Sequence, residues 1–208
     1  DYAMLYSFIP RLAFILLALG GLAAPAAAVP LLVIDARTGE VLVEQEATRP
    51  WYPASLTKLV TAYVALKAVR QGRLSLDTPI IVSARASRMP PSKMGFKPGQ
   101  EITLDNALKM LMVKSANDVA VTIAEGVSGS VEAFAAEMNR TAAELGMRES
   151  RFVNPNGLHD PGHVSSARDM AITPSASAAA AFCASRYCWK VSDIVNAMSS
   201  DMAPAVTA

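Results

Sequence analysis

The chain has 208 residues, a formal net charge of +1 and a charged fraction of only 18%. That length allows one substantial core and excludes two generous domains. The near-neutral balance, without a basic stripe, argues against nucleic acid as a partner.

In chain order, the first feature is the segment RLAFILLALGGLAAPAAA at 11–28. A basic residue, an apolar run from Leu12 to Leu22 and small residues ending in Ala26-Ala27-Ala28 are the three parts of a secretory signal peptide. The apolar run is about half the roughly 20 residues of a membrane-spanning helix, which favours cleavage after Ala28 over anchoring. Residues 1–28 are therefore set apart as a signal peptide, and the mature protein is expected to be secreted, periplasmic or in the cell envelope. No cysteine precedes Cys183, and the other is Cys188. An exported domain so built relies on its core and not on disulfides.

Two β-rich runs, Leu31 to Ile34 and Val41 to Val43, flank Asp35-Ala36-Arg37-Thr38-Gly39 and predict a hairpin. TRPWYPA at 48–54 ends the pairing with two prolines. Leu56, Leu59, Val60, Tyr63, Val64 and Leu66 recur near the helical period, predicting an amphipathic helix from Ser55 to about Arg70, stopped by Gly72. A short strand is expected at Ile80 to Val82. Helices are expected over Asp105 to Val113, Asp118 to Glu125 and Val131 to Leu145. RFVNPNGLHDPGH at 151–163 has the residues of a turn-rich loop, and Ser165-Ser166 suit the cap of a further helix.

Chemistry enters at Ser55-Leu56-Thr57-Lys58. A serine hydroxyl needs a base within hydrogen-bond reach, and residues three apart share one helix face, with Cβ atoms roughly 5–6 Å apart. As the first helical residue, Ser55 would lie where free amides and the positive dipole end assist an oxyanion. Lys58 would act as a base only with its pKa lowered from about 10.4, through burial or a neighbouring cation. An S-x-x-K string is nevertheless expected about once by chance in a chain of this size. Ser115-Ala116-Asn117, between two helical patterns, would aim a hydroxyl and an amide back at the first helix. Taken alone, Asn117 and Asp118 read equally well as helix-capping residues.

In their contexts, PASLTK at 53–58 and KSAND at 114–118, the two strings resemble the first two signatures of the low-molecular-mass penicillin-binding proteins. More narrowly, they resemble the D-alanyl-D-alanine carboxypeptidases. The likeness runs through the DARTGEVL hairpin, WYPASLTKLVTAYVAL, GFKPGQEITLDNALKMLMVKSANDVAVTIAEGVSGS, FVNPNGL and HVSSARDMA, about residues 31–171. It implies an α+β, β-lactamase/transpeptidase-like fold, with helices packed on an antiparallel sheet. It also implies a peptidoglycan stem peptide ending in D-Ala-D-Ala as substrate and β-lactams as inhibitors. By the same resemblance, Ser55 is the nucleophile, Lys58 the general base, Ser115 a proton relay to the leaving amine, and Asn117 a ligand of substrate and of the Lys58 ammonium. No metal or other cofactor is implied. His159 and His163 lie in a loop without a ligand pattern and read as structural or solvent-facing.

The chain departs from the family pattern after HVSSARDMA. The third signature, Lys-Thr-Gly or Lys-Ser-Gly, stands nowhere in the 208 residues, and Arg37-Thr38-Gly39 precedes Ser55 and reads as a turn. Near Ile172 the composition shifts to an Ala/Ser-rich tail. The domains expected are thus 1–28 signal peptide, 29–172 the N-terminal part of a DD-peptidase domain truncated at the C-terminus, and 173–208 an aberrant tail. A frameshift accounts for that tail, and a short variant with a replaced end is the rival. Little or no turnover and an under-paired N-terminal hairpin follow. The alternatives are a non-catalytic peptidoglycan- or penicillin-binding relic and a DD-endopeptidase. A β-lactamase would need a deacylating glutamate, and none is evident. Many relatives carry a C-terminal amphipathic anchor, so peripheral membrane association stays open.

Overall fold

The computed structural model describes residues 29–35 and 38–172. The signal segment, Ala36 and Arg37 of the first turn, and the Ala/Ser-rich tail with Cys183 and Cys188 lie outside the described residues.

Strands β1 (Leu31–Ile34) and β2 (Val41–Gln45) form the expected antiparallel hairpin, with Leu31 opposite Gln45 and Val33 opposite Val43. Asp35 organises the turn, its carboxylate accepting from the Thr38 amide and its carbonyl from the Gly39 amide. A second pair, β3 (Pro79–Ile81) with β4 (Glu101–Thr103), brings Ile80 opposite Ile102. The 79–103 stretch thus contains a strand, β4, beyond the single one expected there. It also holds a one-turn helix, α2 (Ala84–Ser87), capped by the Ser83 hydroxyl. Both are too short to leave a periodic signal.

The long helices are α1 (Thr57–Arg70), α3 (Leu104–Lys114), α4 (Asn117–Ser128) and α5 (Val131–Glu144). Thr103 and Ser130 cap α3 and α5 through their hydroxyls. A short α6 (Ala167–Ile172) starts where the serines announced it, with Ser166 Oγ accepting from the Asp169 amide.

Helices α1 and α4 run between two apolar clusters. Tyr63, Leu66, Val119 and Ile123 meet Leu104, Leu108, Leu111 and Ile80 on one side. Val60, Val64 and Val121 meet Val82, Phe134, Met138 and Phe152 on the other. Helix α1 is consequently buried nearly all round and does not carry the one-sided stripe expected of it. Of the lysines that interrupt its pattern, Lys58 is inside, while Lys67 reaches the edge and pairs with Glu144. Gly126 lets α4 lie directly on β3, since any Cβ there would overlap the Ile80 side chain.

Candidate active site

The nucleophile candidate precedes the helix by one turn. Ala54–Leu56 form a 3-10 turn and α1 begins at Thr57, so Ser55 sits at the helix threshold and not as its first residue. Ala54 has φ +48°, a left-handed conformation that costs a non-glycine residue about 1–2 kcal/mol. The Thr57 amide closes the turn by donating to the Ala54 and Ser55 carbonyls. From the facing loop, Gly157 presses on it so closely that a Cβ would overlap the Ala54 carbonyl oxygen. Gly157 itself has φ +78°, so both space and backbone conformation call for glycine there.

Lys58 stands behind the turn, 3% exposed, while Ser55 is open to solvent. Lys58 Nζ donates to Ser55 Oγ at 3.4 Å and to the Asn156 carbonyl at 2.7 Å. Burial pushes the amine down from its ordinary range to about 8, which brings a neutral, proton-accepting lysine within reach near neutral pH. One helical turn on, Thr61 Oγ1 donates to the Pro155 carbonyl at 2.6 Å. Residues 154–157 thus set one carbonyl on the base and a second on Thr61, one turn further along α1. Their own side chains lock the loop, as Asn154 Oδ1 accepts from the Gly157 amide and Asn156 Oδ1 from the Leu158 amide.

The second string lies at the junction of α3 and α4. Ser115 is the left-handed residue that ends α3, with φ +55°, and among the described residues its hydroxyl makes no hydrogen bond. Asn117 is buried at the start of α4. Its Nδ2 donates to the Pro90 and Pro91 carbonyls at 3.1 and 3.2 Å, and its amide donates to the Ser92 carbonyl. Ser55 and Lys58 are therefore in direct contact, whereas the Asn117 amide is committed to the 90–92 segment. Asp118 binds the same segment further along, its carboxylate accepting from the Met94 and Gly95 amides at 2.9–3.1 Å. The cap position is Ala116, whose side chain makes no capping bond, and Asp118 Oδ1 accepts from the first-turn amide of Val119 at 2.9 Å.

From sequence, Thr57, Asn156 and Gly157 were given no part at the nucleophile, and Asp118 only one in helix capping. The Asn-Pro-Asn-Gly run signals a tight turn, but nothing in it says that the turn closes on α1 some 100 residues earlier. An apolar groove of roughly 260 Å³, lined by Leu31, Trp51, Tyr52, Leu56 and Met170, lies beside the turn between β1 and α6; neither Ser55 nor Lys58 lines it.

A family model described as D-alanyl-D-alanine carboxypeptidase (peptidase S11) matches residues 22–187. The D-alanyl-D-alanine carboxypeptidase DacF of Bacillus subtilis is 39% identical over 140 residues, 67% of this chain and 36% of that protein. A D-alanyl-D-alanine endopeptidase of Pseudomonas aeruginosa is 36% identical over 141 residues, 67% of this chain and 44% of that protein. Among solved structures, penicillin-binding protein 5 of Haemophilus influenzae superposes with a TM-score of 0.68 at 30% identity, over 78% of this chain and 48% of that one. The carboxypeptidase DacD of Francisella tularensis superposes with a TM-score of 0.66 at 34% identity, over 74% of this chain and 40% of that one. The chain spans less than half the length of these curated relatives. With the fold and the matched length in agreement, the chain belongs to the D-alanyl-D-alanine carboxypeptidase family of serine peptidases, peptidase S11.

Proposed function

We propose that Ser55 attacks the carbonyl of the penultimate D-Ala of a peptidoglycan stem peptide, releasing terminal D-Ala and leaving an acyl-enzyme that water then hydrolyses. The observation that carries this is the buried Lys58 amine, 3.4 Å from Ser55 Oγ and lowered to about 8. A neutral Lys58 takes the serine proton as the hydroxyl attacks. The bond to the Asn156 carbonyl keeps the amine aimed while its proton state changes. The positive end of α1 favours the developing oxyanion. Ser115, with its hydroxyl unengaged among the described residues, suits proton delivery to the leaving amine. For Asn117 to bind substrate it must exchange its contacts to Pro90 and Pro91.

Residues 1–28 are proposed to direct the protein to the cell envelope, where that substrate lies. The 36% identical endopeptidase of Pseudomonas aeruginosa favours a second reading, in which the same residues cleave peptide cross-links.

The test is incubation with a fluorescent penicillin, followed by peptide mass spectrometry. A long-lived adduct on Ser55, absent in Ser55→Ala, is the expected outcome. A complete lack of adduct on intact folded protein means a non-catalytic relic, and rapid release of penicilloate means a β-lactamase. Stem-peptide and cross-linked substrates then separate carboxypeptidase from endopeptidase.

A further inference from the structure

The segment from Phe152 to Ser166 closes over the start of α1, and its central side chain has no part in the chemistry above. His163 is 2% exposed, with its ring edge-on to Phe152 at 5.6 Å between centroids. Its Nδ1 accepts from the Val153 amide at 3.1 Å, and its Nε2 lies 2.8 Å from Thr57 Oγ1. A backbone amide only donates, so Nδ1 is the bare nitrogen, and Nε2 carries the proton and donates to Thr57. Thr57 in turn closes the Ala54–Leu56 turn through its own amide, and Gly157 abuts both Thr57 and the Ala54 carbonyl.

We propose that His163 is a positioning residue for the nucleophile: as a neutral imidazole it pins Thr57, and through it the strained turn bearing Ser55, to the loop whose Asn156 carbonyl holds Lys58. The inference rests on reading Ser55 and Lys58 as the acylation pair. Protonation converts Nδ1 into a donor facing the Val153 N–H. Two donors cannot share that contact, so the ring must move and the hold on Thr57 weakens.

The groups around the ring set the direction. Burial lowers the imidazole pKa, and the Asp160 carboxylate in the same loop pulls it upward to a lesser degree. Helix α1 brings Lys58 next to Thr57, while Phe152 and Val153 contribute no side-chain charge. With the folded pKa below the unfolded one, the unfolded chain binds more protons under about pH 6.5. The brace is therefore whole above that pH and is lost as pH falls toward the folded pKa.

The experiment combines imidazole nitrogen NMR on the intact chain with acylation of Ser55 by fluorescent penicillin between about pH 4.5 and 8. It compares the natural chain with His163→Gln and His163→Phe. The expected result is an Nε2–H tautomer at neutral pH, a midpoint below the ordinary histidine range, and at that midpoint a further fall in the acylation rate, steeper than the decline that Lys58 sets below about pH 8. His163→Gln, whose amide both accepts and donates, keeps the rate within about tenfold and loses the added fall at the His163 midpoint, leaving the decline that Lys58 sets. His163→Phe keeps the packing on Phe152 but no donor, and slows acylation roughly 10²-fold with little change in penicillin affinity. An Nδ1–H tautomer, or a Phe variant as fast as the natural chain, overturns the proposal. If the natural chain is never acylated, the reading of Ser55 fails. The brace is then judged by the Lys58 amine titration, which shifts from about 8 in the Phe variant if Thr57 holds the site together and stays put if it does not.

Discussion

Lys58 is an ammonium in a place that favours an amine. It is nearly sealed from water, and its two hydrogen bonds, to Asn156 and Ser55, recover only part of the hydration it lost. Its folded pKa of about 8 lies under the unfolded value of about 10.4. Between those values the unfolded chain binds more protons, so stability rises with pH across that window and the burial penalty is present in full below it. Acylation of Ser55 is expected to rise through about pH 8 as Lys58 loses its proton, measured as the rate of penicillin labelling. Lys58→Met removes the charge at similar length. It should abolish labelling and raise unfolding stability in urea at neutral pH by on the order of 1–3 kcal/mol. Unchanged or lower stability would mean that the bond to the Asn156 carbonyl outweighs burial.

The start of α4 and the 90–95 segment hold each other in register. Asp118, buried in the first turn of the helix, accepts from the Met94 and Gly95 amides, and Asn117 beside it grips the Pro90 and Pro91 carbonyls. Two neighbouring helical residues thus fix the course of a segment that has no regular structure of its own. Asp118→Ala strands both amides and is expected to cost about 2–3 kcal/mol. Hydrogen exchange at Met94 and Gly95 should speed up in step. Glu132→Ala, which breaks an exposed pair with Arg85, serves as the control and should leave stability close to that of the natural chain. Equal effects from the two would show that Asp118 does no more than a surface carboxylate.

Across the whole molecule, the burial is uneven. Two clusters surround α1 and α4, whereas Val41, Leu42 and Val43 on β2, and Leu31 and Val33 on β1, are exposed. The hairpin is tethered to the helical body from its flank. Trp51 and Ser165 exchange backbone bonds, and the Arg168 amide donates to the Ala47 carbonyl. An apolar two-stranded ribbon with this exposure among the described residues offers an edge to a further strand, from the same protein or from another molecule. Leu42→Lys is expected to reduce concentration-dependent association, read by sedimentation velocity, while moving unfolding stability by no more than about 0.5 kcal/mol. A natural chain that stays monomeric, or a variant that associates equally, shows that the ribbon is not an intermolecular contact.

The hairpin and the four long helices were legible from local signals, two apolar runs around a polar turn and the helical period, with Gly72 stopping α1, whereas α4 runs to Ser128, past its expected end at Glu125. The likeness of PASLTK and KSAND to one family pointed to Ser55 and Lys58, which the fold brings into hydrogen-bond contact. Other features belonged to tertiary structure, because each depends on residues far apart in the chain. Burial of Lys58 comes from α1 lying between two clusters, which no helical stripe announces. The grip of 154–157 and His163 on the nucleophile turn joins segments separated by about 100 residues, and the commitment of Asn117 to Pro90 and Pro91 joins α4 to an irregular loop. Sequence by itself determined which residues could do the chemistry, since reactivity resides in the side chain. Only the packed fold decided which of them meet and how strongly water is excluded, because distance and desolvation are properties of the assembled structure.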